Sequence, residues 1–284
     1  MPNTILNKKK RVSDTIIRTL IYLSAFLSVM VLVGIIGLVV VKGLPHVSLQ
    51  LITTVSSSIN NTFGILGNIV NTLYIIVLTL LIVTPLGVGG AIYLNEYANG
   101  GRLVKAIEFT IETLAGIPSI IFGLFGMVFF GSIFGFSILT GSLTLALMVL
   151  PIITSSTQVA LKSVPQSYRA GAIGMGATKW YMIRTIILPS ALPGIITGII
   201  LGIGRMIGES AALLFTAGSS YYLANDFIGH IFKPGGTLTI QLYLSMSKAR
   251  YDQAFAVAFV LIIFVFILNR LTHLIANRMN KEKG

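Results

Sequence analysis

Apolar residues in this chain run in blocks too long for a soluble protein. Thr19–Val41 is uncharged for 23 residues, Phe63–Leu94 for 32 and Thr113–Leu161 for 49, the last enough for a hairpin of two helices. A helix needs about 20 residues to cross the hydrocarbon core of a bilayer. The blocks predict an all-α membrane protein with six transmembrane helices, near 16–41, 66–92, 113–133, 138–160, 190–216 and 253–276. Polar residues divide the chain further. There is a basic tail over 1–14, a first span over 15–41 and an outer stretch over 42–63 rich in Ser, Thr and Asn. The helical core over 64–284 carries a polar segment at 163–189 and an outer loop at 217–251. Pro85, Pro118 and Pro151 interrupt apolar blocks, where proline bends helices, and the many glycines let helices approach closely in a membrane.

The segment over 163–189 reads SVPQSYRAGAIGMGATKWYMIRTIILP. With Lys162 at its edge it carries four cations, the others being Arg169, Lys179 and Arg184, which hydrocarbon does not accept. Pro165 is placed to open a helix over Gln166–Met175, and Gly176 supplies a tight turn because glycine takes positive φ freely. Helical spacing resumes at Lys179 with Trp180, Ile183 and Ile187 on one face; Pro189 is expected to end that helix and Pro193 to open the next. Two uses fit. The small side chains at Ala170, Gly171, Ala172 and Gly174 suit insertion into a partner's groove. The other use is an amphipathic helix resting on lipid headgroups, for which the bulky apolar face is narrow.

Arg205 and Glu209 lie inside the fifth apolar block at a spacing of i, i+4, which puts them on one helix face. Counted from Ser190, Arg205 is about 22 Å along a helix rising 1.5 Å per residue. A charge at that depth costs at least ~2.5–3.5 kcal/mol, so the pair is expected to face the bundle interior. Either the two form a structural salt bridge, or Arg205 meets an anion in transit while Glu209 orients it. Arginine suits an oxyanion because its planar fork donates two parallel hydrogen bonds.

Composition sharpens the picture. The chain is 55% hydrophobic and 10% charged, with a mean hydropathy of +0.91 and a net charge of +12. That charge is not spread as a nucleic-acid binder's would be. Fifteen Lys and Arg residues fall on the side of the tail (with Arg18), the 95–112 loop, the 161–189 segment and the C-terminus, against Lys42, Lys233, Lys248 and Arg250 on the other. The positive-inside bias places both termini in the cytosol of a multi-pass cell-membrane protein in contact with lipid. The basic tail before the first apolar run resembles a signal peptide, but the run is too long and lacks a cleavage site, so an uncleaved span is expected. No cysteine is present, which excludes disulfides, thiolate metal sites and thiol catalysis. The outer loop holds Tyr221, Tyr222, Asp226, His230, Lys233 and a Pro234-Gly235-Gly236 turn, and reads equally as a docking surface or a simple loop.

Two stretches carry a resemblance. RAGAIGMGATKW over 169–180, with Ile187-Leu188-Pro189 after it, resembles the EAA loop of ATP-binding-cassette (ABC) importer permeases, which in that family is the coupling helix seated in a cleft of the ATPase subunit. Arg169, Ala170, Gly171, Ala172, Gly176, Ala177, Thr178, Lys179 and Trp180 are the residues this resemblance assigns to the ATPase contact. Ala170 stands where the family's glutamate is usual and Gly171 where an alanine follows, so an ion pair made by that glutamate is missing.

GRMIGESAALLFT over 204–216 is similar to the phosphate permeases of the Pst system, to the PstA branch more than to PstC. Ser210 and Ala212 replace the usual Thr and Pro. Further blocks agree, from Pro85-Leu86-Gly87 through Ile92-Tyr93-Leu94 to Glu96-Tyr97, and from Glu112 through Gly116-Ile117-Pro118-Ser119 to Gly126. The strong blocks cover roughly residues 64–217. Ser155 and Gln158 stand where the family often has Arg and Glu, so a second cationic contact is absent or supplied elsewhere. The resemblance implies a type I ABC-importer (MetI-like) permease fold and a translocation path at Arg205, Glu209 and Ser210. It also implies a PstC-like permease partner, two PstB-like ATP-binding subunits that hold ATP and Mg, and a PstS-like extracytoplasmic phosphate-binding protein.

The chain lacks any Gly-Lys dipeptide and hence a P-loop, and it has no His/Asp/Glu cluster at metal-ligand spacing and no serine with a base partner. It is expected to be a non-catalytic subunit with no metal, cofactor or nucleic-acid site. Rival expectations are an ABC permease for sulfate or molybdate, an ATP-independent secondary transporter or channel, for which inverted repeats are not evident, and a non-transporting scaffold.

Overall fold

A computed structural model of the chain describes residues 12–57, 62–98, 100–221, 223 and 226–281. The basic cluster Lys8–Arg11 and Tyr222 lie outside the described residues, as does the side chain of His273. Five helices are long and apolar enough to cross a membrane, and a sixth crossing is made if one sharply bent pair is counted as a single span.

The first helix, Val12–Gly43, is exposed along most of its length and meets the rest only near its end, where Gly43 lies against Phe255 and Phe259. A short antiparallel strand pair follows, with Val55 opposite Ile65 and Ser57 opposite Thr62, a small departure from an all-helical chain. The centre is formed by Leu66–Ile92 and Ile138–Ser163, packed along their lengths, with Leu188–Ile207 packed against Ile138–Ser163 and touching Leu66–Ile92. Their core holds Ile75, Val83, Leu145, Val149, Ile153, Ile203 and Met206. Close approach is required here. A Cβ added to Gly194, Gly198 or Gly202 would lie 2.5–2.9 Å from Ala160, Ser156 or Val149. Small residues four apart let the two backbones come together where lipid provides no hydrophobic drive.

Several sequence boundaries need correction. The third span does not run from 113. Helix Arg102–Gly116 ends at Ile117, whose extended backbone is what a following proline imposes, and Ser119–Phe129 leaves at 107°. Pro189 does not end a helix, nor does Pro193 open one: a continuous helical stretch runs Lys179–Ile207 through both prolines. A π-helical turn at Ile183–Ile187 opens the backbone ahead of Pro189, and Ser190 Oγ donates to Ile186 O at 2.6 Å. The fifth span stops at Ile207, not 216. It breaks at Gly208–Ser210 before a short helix, Ala211–Thr216. Trp180 is exposed and does not share the buried face of Ile183 and Ile187; Met182 does.

The segment 217–251 is not a simple loop. Asn68 Nδ2 donates to Gly236 O at 3.0 Å, Thr72 Oγ1 accepts from Leu238 N at 3.0 Å, and His230 Nε2 donates to Asn71 Oδ1 at 2.7 Å. His230 is buried and stands edge-on to Tyr74. Thr237 then caps a helix, Leu238–Ser247, that packs back into the bundle.

Candidate functional site

Two regions collect the residues singled out by the sequence. The first is the polar segment. Helix Gln166–Gly174 is followed by a turn in which Gly176 has φ +80°, the left-handed region that favours glycine. Thr178 then caps the next helix by accepting from Tyr181 N at 3.3 Å. Ala172 is buried against Leu161, Val164, Met182 and Ile183 and anchors the segment. Ala170, Gly171, Gly176, Thr178, Lys179 and Trp180 are exposed and Ala177 is half-buried. A Cβ added at Gly171 or Gly174 would meet nothing within 4 Å. Around them Tyr168, Ile173, Met175, Trp180 and Tyr181 present an apolar surface.

Arg169 behaves differently from its neighbours. Its side chain is turned inward onto Glu96, with Nη2 donating to Oε1 at 2.7 Å and Nε to Oε2 at 3.3 Å. Glu96 was not among the residues the sequence singled out for a role. A signal for it existed: the stretch Lys162–Pro189 has four cations and no acid, so a partner for a buried Arg169 has to come from elsewhere.

The second region is the break after Leu188–Ile207. Glu209 is buried, and its Oε1 accepts from Ala212 N at 3.1 Å, which holds the start of Ala211–Thr216. Its backbone carbonyl accepts from Thr239 Oγ1 at 2.8 Å, so the re-entering helix Leu238–Ser247 touches the same break. Thr239 is a second residue that spacing alone did not reveal, because thirty positions separate it from Glu209. Arg205 Nη2 is 3.8 Å from Glu209 Oε2, beyond hydrogen-bonding distance. The Arg205 side chain is 49% exposed, which corrects the expectation that it faces the interior of its own bundle. It belongs to an outward stripe of Thr197, Leu201, Gly204, Arg205 and Gly208. Ser210 is half-buried beside it and makes no side-chain cap. Among the described residues no group of three His, Cys, Asp or Glu is placed to hold a metal.

The family described as binding-protein-dependent transport system inner membrane component matches residues 84–281. A probable ABC transporter permease protein, YqgI of Bacillus subtilis, is 33% identical over 92% of this chain and 94% of its own length. The phosphate transport system permease protein PstA of Pasteurella multocida is 30% identical over 95% and 96%. Among solved structures, a chain of a bacterial alginate ABC transporter, crystallised with its alginate-bound periplasmic protein, superposes with a TM-score of 0.68. It is 17% identical and covers 96% of this chain and 99% of that one, a likeness of fold.

Proposed function

The chain belongs to the family of binding-protein-dependent transport system inner membrane components, and we propose that it is the permease subunit of an ATP-driven importer of inorganic phosphate. It is a multi-pass membrane subunit, and in this reading both termini are cytosolic. The cargo is the one for which the PstA relative is named.

The observation that carries the reading is the state of Arg205. A guanidinium half exposed on the flank of a membrane span is unfavourable against lipid, by ~2.5–3.5 kcal/mol on insertion scales at full depth and by less toward the end of the span, where Arg205 lies. A second permease covering that flank, with a polar path between the two, removes the conflict. Ala212 N holds Glu209 Oε1, and the ion pair from Oε2 to Arg205 Nη2 is too long for a hydrogen bond, so the guanidinium keeps donors for two parallel hydrogen bonds to a tetrahedral oxyanion. Ser210 borders the same path.

The polar segment is assigned to a separate ATPase. Glycine in a helix costs about 1 kcal/mol relative to alanine. Among the described residues nothing approaches Gly171 or Gly174 closely enough to require a bare backbone, so a closely apposed partner supplies the reason. Two ATP-binding subunits would hold ATP and Mg, while an extracytoplasmic binding protein would deliver the anion. This chain would contribute no hydrolytic chemistry of its own.

The test is uptake of labelled phosphate by energised cells lacking the chain, with and without its restoration. Restored, ATP-dependent uptake is expected. Restoration of sulfate or molybdate uptake in its place would keep the architecture and replace the cargo.

A further inference from the structure

The end of the span Leu66–Tyr97 is built unusually. Its last turn, Tyr93–Tyr97, widens into a π-helix, and Glu96 is turned inward there to 9% exposure. Oε1 accepts from Asn95 Nδ2 at 2.7 Å as well as from Arg169 Nη2, and Oε2 accepts from Arg169 Nε. The same guanidinium donates from Nη1 to Val164 O at 2.8 Å and from Nη2 to Leu161 O at 3.0 Å. These carbonyls close the helix Ile138–Ser163. One arginine therefore ties the polar segment to two central helices at once. A second tie lies alongside, with Lys179 Nζ 5.1 Å from the centre of the Tyr97 ring.

Apolar packing cannot do this work. Ala172 is the only buried residue of Gln166–Gly174, so that helix has little hydrophobic area with which to fix its orientation. A bidentate arginine–carboxylate pair is directional, and burial keeps it from exchanging with water. Arg169 is the one charged residue of this helix, with an exposed alanine beside it at 170, and its charge is used internally.

We propose that Glu96 is a positioning residue for energy coupling. It locks Arg169, and with it the helix Gln166–Gly174, to the cytosolic end of Leu66–Tyr97, so that displacement of the helix by an ATPase moves that span. This rests on the assignment of the 163–189 segment to an ATPase contact. A pair that served stability alone would alter the amount of folded complex. A pair that transmits movement alters how much anion is carried for each ATP spent.

The experiment uses proteoliposomes of the complex purified through this chain, with its co-expressed permease and ATPase partners, and with the binding protein supplied on the face opposite the ATPase. Bound ATPase, ATP hydrolysis and labelled phosphate uptake are measured together. For Glu96→Gln the ATPase stays bound while phosphate carried per ATP falls about fivefold or more. Glu96→Asp, which keeps the charge and shortens the reach, falls between that variant and the native chain. An unchanged ratio in Glu96→Gln with ATPase retained overturns the proposal. Should Glu96→Gln fail to assemble, Arg169→Lys, which keeps the cation and loses the bidentate fork, is read in the same way. Gly171→Leu checks the underlying assignment separately. It is expected to release the ATPase, and retention there overturns the contact, whatever the ratio in Glu96→Gln.

Discussion

Arg205 and Glu209 are one helical turn apart yet live in different surroundings, one half exposed and one buried. Their substitutions should separate accordingly. Arg205→Gln is expected to reduce labelled phosphate uptake about 10–100-fold, the worth of a charge-assisted pair of hydrogen bonds, with the complex still assembled. Glu209→Ala instead removes a carboxylate from the start of Ala211–Thr216 and should lower thermal stability by about 1 kcal/mol. If Arg205→Gln leaves uptake untouched, the arginine is a packing element and the path lies elsewhere. The presence and spacing of this pair were legible in the sequence. The direction each side chain takes was not, because it depends on the break at Gly208 and on Thr239 arriving from thirty residues away.

His230 gives a prediction of another kind. Burial against Asn71 and Tyr74 pushes its pKa below the ordinary imidazole value. An unfolded histidine titrates near pH ~6.5. Above that pH both states are neutral and the stabilisation is complete. As the pH falls below it, the unfolded chain takes up a proton that the folded chain resists, and stability is lost until the lower folded pKa is reached. The melting temperature in detergent should therefore drop on acidification below about pH 6.5, and His230→Gln should flatten the drop. An identical slope in the variant would remove His230 from the explanation.

At the scale of elements, hydrophobic blocks found the spans, whereas prolines misled about where they end. Pro118 does break its helix, because Ile117 is driven into extended backbone and nothing nearby compensates. Pro189 does not, because the π-helical turn Ile183–Ile187 that leads into it widens the backbone and makes room for the ring. Sequence cannot separate these cases, since the compensation comes from neighbouring backbone geometry and not from proline itself. The amphipathic helix Arg102–Gly116 was hidden for a related reason: its last residues merge with an apolar block that belongs to the next helix. The polar segment was better foretold, with its turn at Gly176 and its bare small residues. Gly171→Leu is the element-level test: insertion should be unchanged and melting no lower, because a Cβ there meets nothing within 4 Å and glycine is the poorer helix former, while ATPase co-purification is lost.

At the scale of the whole molecule, the first helix stands apart from the bundle. Removing residues 12–36 should shift the melting temperature of the rest by no more than about 2–4 °C, the effect of ~1 kcal/mol in a domain of this size. A larger loss would mean that Val12–Gly43 supports the core through more than its contact at Gly43. That the first span is separate was visible in the sequence; that it is left almost wholly uncovered was not, because coverage is a property of an assembly.

One helix reaches from one side of this molecule to the other. Leu66–Tyr97 is 32 residues, about 48 Å. At one end Asn68, Asn71 and Thr72 hold the outer segment, and at the other Glu96 holds the polar one. Linkage then imposes a symmetry on the transporter. If nucleotide on the ATPase changes the affinity of the binding protein for the outer face by some factor, docking of the binding protein must change nucleotide affinity by that same factor. Delivery from outside and fuel from inside would be two readings of a single free energy, and severing Glu96 from Arg169 should shrink both by equal measure.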